Sequence, residues 1–501
     1  MSLDDPTTPT STLAELISRR ALDRGDATYL LAAHDERTIS YAELAEECEH
    51  WRTRFRDAGV EAGDRVGLGV RDPLAFATAF LGGMTSNLWM APMDPTTESA
   101  SPERFATHAR RVAMSMYLAD ADSLGQVTLR PLDAASGRSG NEGSGGVVMA
   151  SSGTTGTPKI VRLPTDQLLA TAALVSAHHG LTPADRGFNP LPLFHINAEV
   201  VGLLATLSAG ASLVLDDRFH RTNFWDVVDG HEVTWINAVP AIIARLTPLG
   251  DGERVAHSVR FVRSASAPLP TALATSFQTQ TGLAIIETYG MTEAASQICA
   301  NPLDGPRVGS VGRPVGVHLR VVSDTGAQSP AHGVGQVEIT GPTVISEYDA
   351  PGYEDRFTTD GWLRTNDLGY LDEDGYLFLV GRSDDVINRG GEKIFPREIE
   401  EVLLANPDVE VAAVVGEADE VFGQVPIAYV QLSGVDASTA IESILPTVKE
   451  LREALVVTFS RSRRPKTLRV IERLPVHATG KIQKGALGGE QVPILLSESV
   501  G

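Results

Sequence analysis

Short apolar runs of strand length alternate with longer helical stripes along the first 300 residues, and no other feature restricts the fold as much. Tyr41–Ala58 carries Leu44, Cys48, Trp51 and Phe55 on one helical stripe, and Arg65–Val70 reads as a short strand after the Gly-Asp turn at Gly63. A glycine- and serine-rich loop at 136–146 leads into Val147–Ala150, apolar enough for a buried strand. A helical pattern then begins near Thr165. This alternation predicts α/β layers around mostly parallel sheets. Residues 333–380 differ: Gln336–Thr340, Trp362–Arg364 and Tyr376–Val380 read as short strands between Gly, Asp and Pro turns, which predicts a small β-rich subdomain. A last block, 384–501, holds a helix signal at Pro396–Leu404 and a strand at Val411–Val415, with a boundary near Gly381–Asp385.

Composition excludes several function classes. The formal charge of −22 repels phosphate backbones, so nucleic acid and anionic membranes are not expected partners. Cys48 and Cys299 are too few for a disulfide scaffold or a cysteine zinc site and fit a reducing cytoplasm. The start MSLDDPTTPT has no signal-peptide pattern, and the most apolar stretch, Val200–Leu215, is broken by Thr206, Ser208 and Ser212 and falls short of a membrane span. Only six of the 42 basic residues are lysines, so each lysine asks for a reason.

Lys159, the first of them, closes the segment Ala150-Ser-Ser-Gly-Thr-Thr-Gly-Thr-Pro-Lys159. Gly153 and Gly156 let backbone N–H groups approach a ligand closely. Ser151, Ser152, Thr154, Thr155 and Thr157 add hydroxyl donors, and Lys159 adds a mobile positive charge. Together they can hold a polyphosphate. The loop is neither a Walker A, which needs Gly-Lys-Ser/Thr, nor a Rossmann G-x-G-x-x-G.

This segment resembles the signature loop of the adenylate-forming superfamily, whose members include acyl-CoA synthetases, adenylation domains and luciferases. Further segments match in the family's order: Pro192-Leu-Phe-His195, Ser266-Ala267-Pro268, Glu287-Thr-Tyr-Gly-Met-Thr-Glu293, Asp360–Asp367, Gly381–Asn388, Arg389–Ile394 and Thr479-Gly-Lys481. The resemblance covers essentially the whole chain. It implies an α/β fold with a large N-terminal domain (1–381) of parallel-type sheets sandwiched by helices, including a β-rich subdomain at about 310–381. A small mobile α+β C-terminal domain (382–501) follows, with a hinge at about 382–385.

The resemblance also implies roles. Ser151, Ser152, Gly153, Thr154, Thr155, Gly156 and Lys159 hold ATP phosphates, with Ser266, Ala267, Pro268, Glu287, Thr288, Gly290 and Met291 lining the nucleotide. Tyr289 stacks on adenine, Thr292 contacts phosphate, Glu293 supports Mg²⁺, Asp367 accepts ribose hydroxyls and Arg382 contacts ribose or phosphate. Lys481 stabilises the charge that develops as a carboxylate attacks the α-phosphate. Asp384 is the hinge, and Arg389, Gly390, Gly391 and Lys393 line a CoA channel. His195 gates the acyl pocket, which Ala198, Val201, Gly202, Ala238, Gly290 and Ala294 line. These pocket residues are small or apolar, which favours a bulky hydrophobic acid over acetate or over dicarboxylates that need an arginine.

The expected reaction is acid activation by ATP to an acyl-AMP, then transfer to CoA. Alternatives are a stand-alone adenylation enzyme loading an acyl carrier protein, and an enzyme on this fold running one half-reaction. A homodimer stays open. Phe194-His195-Ile196 lacks the Asp that amino-acid-activating relatives place there. Three positions depart from the family pattern: Ile160 and Asn366 stand where Gly is usual, and Thr165 where His is frequent. Lys484 reads as an ordinary solvated lysine, and the isolated cysteines as buried spectators.

Overall fold

Helix starts are written locally and set the layers. Ser40 and Glu43 form a reciprocal capping box that opens the helix Tyr41–Asp57, and the Asp72 carboxylate caps Pro73–Thr85 with proline in the first turn. The first of these buries Leu44, Cys48, Trp51 and Phe55, the stripe the periodicity predicts. The computed structural model describes residues 11–120, 126–132, 145–151, 159–247, 249–250, 252–475, 482–487 and 493–500.

Two twisted sheets form the N-terminal body. In the nine-stranded sheet, Ala284–Tyr289, Phe261–Ser264, Trp235–Ala238, Arg186–Asn189, Ser212–Leu215 and Thr28–Ala32 run parallel in that order. Short antiparallel strands close both edges. In the six-stranded sheet, Met116–Asp120, Arg65–Gly69, Trp89–Pro92 and Gly146–Ser151 are parallel, with antiparallel edges Val127–Pro131 and Lys159–Pro164. One large apolar core joins these sheets and their helices.

The β-rich region is a four-stranded antiparallel sheet of His318–Val322, Gly335–Thr340, Leu363–Leu371 and Leu377–Arg382. Its third strand is longer than the expected Trp362–Arg364 because pairing with both neighbours continues past Asn366. A last sheet is built on Gly423–Leu432, with Val409–Asp419 at its side, and packs on the helices Pro396–Leu404 and Ile441–Thr458 around a separate core. Val409–Asp419 likewise outruns the expected Val411–Val415. Both cysteines are buried and free. Among the described residues, no helix is long and apolar enough to cross a membrane.

Candidate active site

The strands Phe261–Ser264 and Ala284–Tyr289 lie side by side, and their carboxyl ends open onto the loops that carry most of the expected site. Ligands collect at such ends because the chain leaves the sheet there. Tyr289 closes its strand, and its hydroxyl donates to Asp367 Oδ2 at 2.5 Å. Asp367 faces Arg382 across an antiparallel pair, and the Arg382 Nη1 lies 3.4 Å from Asp367 Oδ1. An aromatic ring, a carboxylate and a guanidinium therefore meet where the nine-stranded sheet touches the β-rich sheet.

Asn366, the departure beside Asp367, has φ of 65°, in the left-handed region. Glycine is free to adopt it, and asparagine is among the few other residues that do so at low cost. Its Nδ2 donates to Asp384 Oδ2 at 3.3 Å, so the replacement adds a bond to the expected hinge. Ile160 sits buried in the strand Lys159–Pro164, and its carbonyl accepts from Asp349 N at 2.9 Å. Thr165 starts the helix Thr165–His178, with its Oγ1 donating to the Gly145 carbonyl at 2.9 Å.

Glycine is required after Tyr289: a Cβ on Gly290 would stand 1.7 Å from the Ser296 carbonyl oxygen. The chain then turns through Thr292–Ala294, and Ala295 and Ser296 follow at φ of 47° and 83°. Two successive left-handed non-glycine residues cost about 1–3 kcal/mol each, a strain that surrounding structure must hold. This turn buries Glu293, whose Oε1 accepts from the Tyr348 hydroxyl at 2.9 Å. Thr292 and Met291 are half-buried beside it. Glu287 is buried in the strand, and desolvation lifts its pKa to about 7 against the opposing charge of Arg397. Thr288 Oγ1 donates to the Ser264 carbonyl at 3.1 Å. Ser266 is exposed in the left-handed region at φ of 72°, with Ala267 and Pro268 after it in the loop.

Lys159 opens its strand with Nζ 5.4 Å from the Tyr348 ring centre and 5.6 Å from that of Tyr353. Burial lowers its pKa, Arg356 and Arg382 add to the lowering, and Glu293 and Asp384 oppose it. Lys159, Glu293, Arg382 and Asp384 therefore share one electrostatic neighbourhood. Ser151 pairs with Lys159 in the strand register. Ser152, Gly153, Thr154, Thr155, Gly156 and Lys481 lie outside the described residues.

The expected acyl positions Ala198, Val201 and Gly202 fall in a π-helical turn, Ala198–Leu204, and Ala238 and Ala294 are fully buried in the same core. Such turns recur at functional sites. His195 precedes this turn, its ring packed on Phe194 at 4.5 Å between centres. Of the expected CoA-channel residues, Gly390 and Gly391 form a hairpin turn at φ of 59° and 93°. Arg389 donates to the Arg461 carbonyl at 3.0 Å, and Lys393 pairs with Asp324 of the β-rich sheet at 2.6 Å. Among the described residues, the hydrogen bonds and ion pairs of this hairpin do not reach the Tyr289–Asp367–Arg382 cluster. Lys484 departs from its expectation: it is only partly exposed, pairs with Glu400 at 2.7 Å and lies 3.9 Å from Asp385, because the turn 484–486 docks beside the expected hinge.

Sequence reading missed Arg263. It is fully buried, and its Nη1 and Nη2 donate to Asn197 at 2.9 Å, Asn237 at 3.3 Å and Gln297 at 3.0 Å. The available signal was a charged residue inside the apolar run Phe261-Val-Arg-Ser264. A different cluster, His34, Asp216 and His220, has both rings within 3.1 Å of the buried Asp216 Oδ2. Arg218 donates to His220 Nε2, which leaves Nδ1–H to donate to Asp216, so imidazole donors satisfy that carboxylate.

The architecture has counterparts in known proteins. AMP-binding enzymes match residues 17–349, and the AMP-binding enzyme C-terminal domain matches 398–481. The chain belongs to the AMP-binding enzyme family. A sulfoacetate–CoA ligase of Cupriavidus necator is 36% identical over 94% of this AMP-binding enzyme and 96% of the relative. An oxalate–CoA ligase of Arabidopsis thaliana is 31% identical over 95% and 97%. The structure of o-succinylbenzoate coenzyme A synthetase from Bacillus subtilis, in complex with ATP and magnesium ion, superposes with a TM-score of 0.79 at 25% identity, covering 95% of this chain and 99% of that one. This AMP-binding enzyme is an AMP-forming acid–thiol ligase of the acyl-CoA ligase branch.

Proposed function

We propose that the protein joins a carboxylic acid to CoA through the Tyr289–Asp367–Arg382 cluster and the residues gathered around Lys159. The observation that carries this is the meeting of Tyr289, Asp367 and Arg382 beside Lys159, Glu293 and the hinge residue Asp384. ATP enters with its adenine on Tyr289, its ribose on Asp367 and its phosphates near Lys159 and the preceding loop. The acid's carboxylate oxygen attacks the α-phosphorus, the bond to the β-phosphate oxygen breaks, and pyrophosphate leaves. Lys481 meets the charge spread over the attacking and phosphate oxygens in that transition state. The CoA thiolate then attacks the acyl carbon, and AMP leaves.

Glu293 fits the metal expected with ATP. Its buried carboxylate has one oxygen held by Tyr348, and a hard oxygen donor set suits Mg²⁺, which takes its other ligands from phosphates and water. Bound there, Mg²⁺ would neutralise phosphate charge. Between the half-reactions the domain after Gly381 turns about Asp384 and brings the Gly390–Gly391 turn over the adenylate. The residues of the π-helical turn take the acyl group. Their small, apolar character supports a hydrophobic acid, but the relatives named above act on sulfoacetate and oxalate, acids with a second acidic group.

Pyrophosphate release with acid and ATP, followed by AMP release and thioester formation with CoA, tests the reading. Pyrophosphate without a thioester would point instead to a carrier-protein acceptor.

A further inference from the structure

Arg263 lies one residue inside the carboxyl end of its strand, in a polar layer that crosses three parallel strands. Asn237 pairs with Arg263 in register, accepts from it at 3.3 Å, and donates on to Asn189 Oδ1 at 2.9 Å. This layer adjoins the π-helical turn that carries expected acyl positions: Asn197 precedes Ala198, and a Cβ on Gly202 would touch the Asn189 side chain at 3.5 Å.

The acceptors around Arg263 are all neutral amide oxygens. Among the described residues, three of its five N–H groups find acceptors and the Nε has no partner. Among the same residues, Asn197 Nδ2, Gln297 Nε2 and Ser264 Oγ are also buried without partners. Among the described residues, no carboxylate forms an ion pair with Arg263, and burial alone pulls its pKa down to about 9. Among the described residues no hydrogen bond joins the buried Glu199 carboxyl to Arg263, and burial pushes its pKa well up, toward the neutral form. His179, packed on Trp235 and Phe261 beneath the layer, is kept neutral by burial. The layer thus presents one positive charge with spare donors and no anion. Burying a charge in that state is costly unless a counter-charge arrives.

We infer that Arg263 receives a second anionic group, a sulfonate or a carboxylate, on the acid this enzyme activates. The inference rests on the CoA-ligase reading and names its substrate class, replacing the bulky hydrophobic acid that the small lining residues suggest. Arg263 lies level with Ile286, and Tyr289 is three residues further along that strand, ~10 Å at strand rise. That separation suits a short acid whose reacting carboxylate points toward the nucleotide and whose second anion points toward the guanidinium.

The test compares sulfoacetate and oxalate with propionate and hexanoate as substrates of the full-length wild type, Arg263→Met and Arg263→Lys. Pyrophosphate release and thioester formation give kcat/KM, and heat melting with AMP plus each acid gives binding. The wild type should favour a dianionic acid over propionate by ~100-fold or more, since a site built for a polar group rejects the analogue lacking it. Sulfoacetate against oxalate then tells sulfonate from carboxylate. Arg263→Met should lose that preference, with propionate affected far less, and Arg263→Lys should recover part of it. A wild type that prefers propionate or hexanoate overturns the inference without any variant. An equal loss on all four acids in a folded Arg263→Met also overturns it, because that is a packing effect. If Arg263→Met does not fold, a folded Arg263→Lys with the wild-type preference ratio unchanged overturns it. If no acid releases pyrophosphate, the ligase reading fails. Melting then decides the inference alone: protection by sulfoacetate or oxalate but not propionate supports it, and no selective protection overturns it.

Discussion

Replacing Asp367 by asparagine separates the charge of this residue from its shape. The carboxylate takes the Tyr289 hydroxyl on one oxygen and faces Arg382 with the other. Asparagine keeps one acceptor oxygen, so Tyr289 retains a partner and the fold should lose only about 1 kcal/mol. The ribose loses more. Two hydroxyls donating to a carboxylate are charge-assisted bonds worth about 1.5–3 kcal/mol each, and asparagine replaces them with one neutral bond of about 1 kcal/mol. The net loss is about 2–5 kcal/mol. At 1.36 kcal/mol per tenfold, the kcat/KM for ATP should fall by about 30- to several-thousand-fold. Pyrophosphate release at varied ATP measures it, and melting without ligand checks the fold. An unchanged kcat/KM for ATP in a folded Asp367→Asn would refute the ribose assignment.

Three further outcomes can be measured. Lys481→Ala should slow acyl-AMP formation by orders of magnitude yet largely spare thioester formation from supplied acyl-AMP, and undiminished pyrophosphate release would sink that role. Asn366→Ala should destabilise the protein by about 1 kcal/mol because alanine is strained at φ of 65°, whereas Asn366→Gly should be close to neutral; melting temperatures of the two variants decide it. Burial raises the Glu287 carboxyl to a pKa of about 7, above its unfolded value. Its contribution is therefore fully present below pH ~4.5 and lost as pH rises through ~7, a change of at most about 3 kcal/mol. Glu287→Gln should flatten the fall in melting temperature between pH 5 and pH 8, and an unaltered slope would refute the assignment.

The parts legible in the sequence are those whose physics is local. The Tyr41–Asp57 stripe, the Pro396–Leu404 helix and the strand leading into the loop before Lys159 need only nearest neighbours along the chain, and all three stand where the periodicity puts them. Asn366 was legible as a departure but not as a compatible one, since its left-handed backbone emerges only when its strand pairs on both sides. Lys484 looked solvated because its partners, Asp385 and Glu400, arrive from 99 and 84 residues earlier in the chain.

The sequence by itself determined the alternating α/β order, a β-rich region after it, and the identities of the aromatic, carboxylate and lysine residues by which the chain resembles an adenylate-forming ligase. Tertiary structure alone decided the environment of Arg263. In Phe261-Val-Arg-Ser264 the sequence shows a charge inside an apolar run but not what surrounds it. Only the parallel register of Asn189, Asn237 and Arg263, covered by the turn that begins at Asn197, takes the guanidinium out of solvent. Charge is written in one residue, but its desolvation depends on every chain segment packed around it, and that desolvation is what sets this arginine apart from a surface charge.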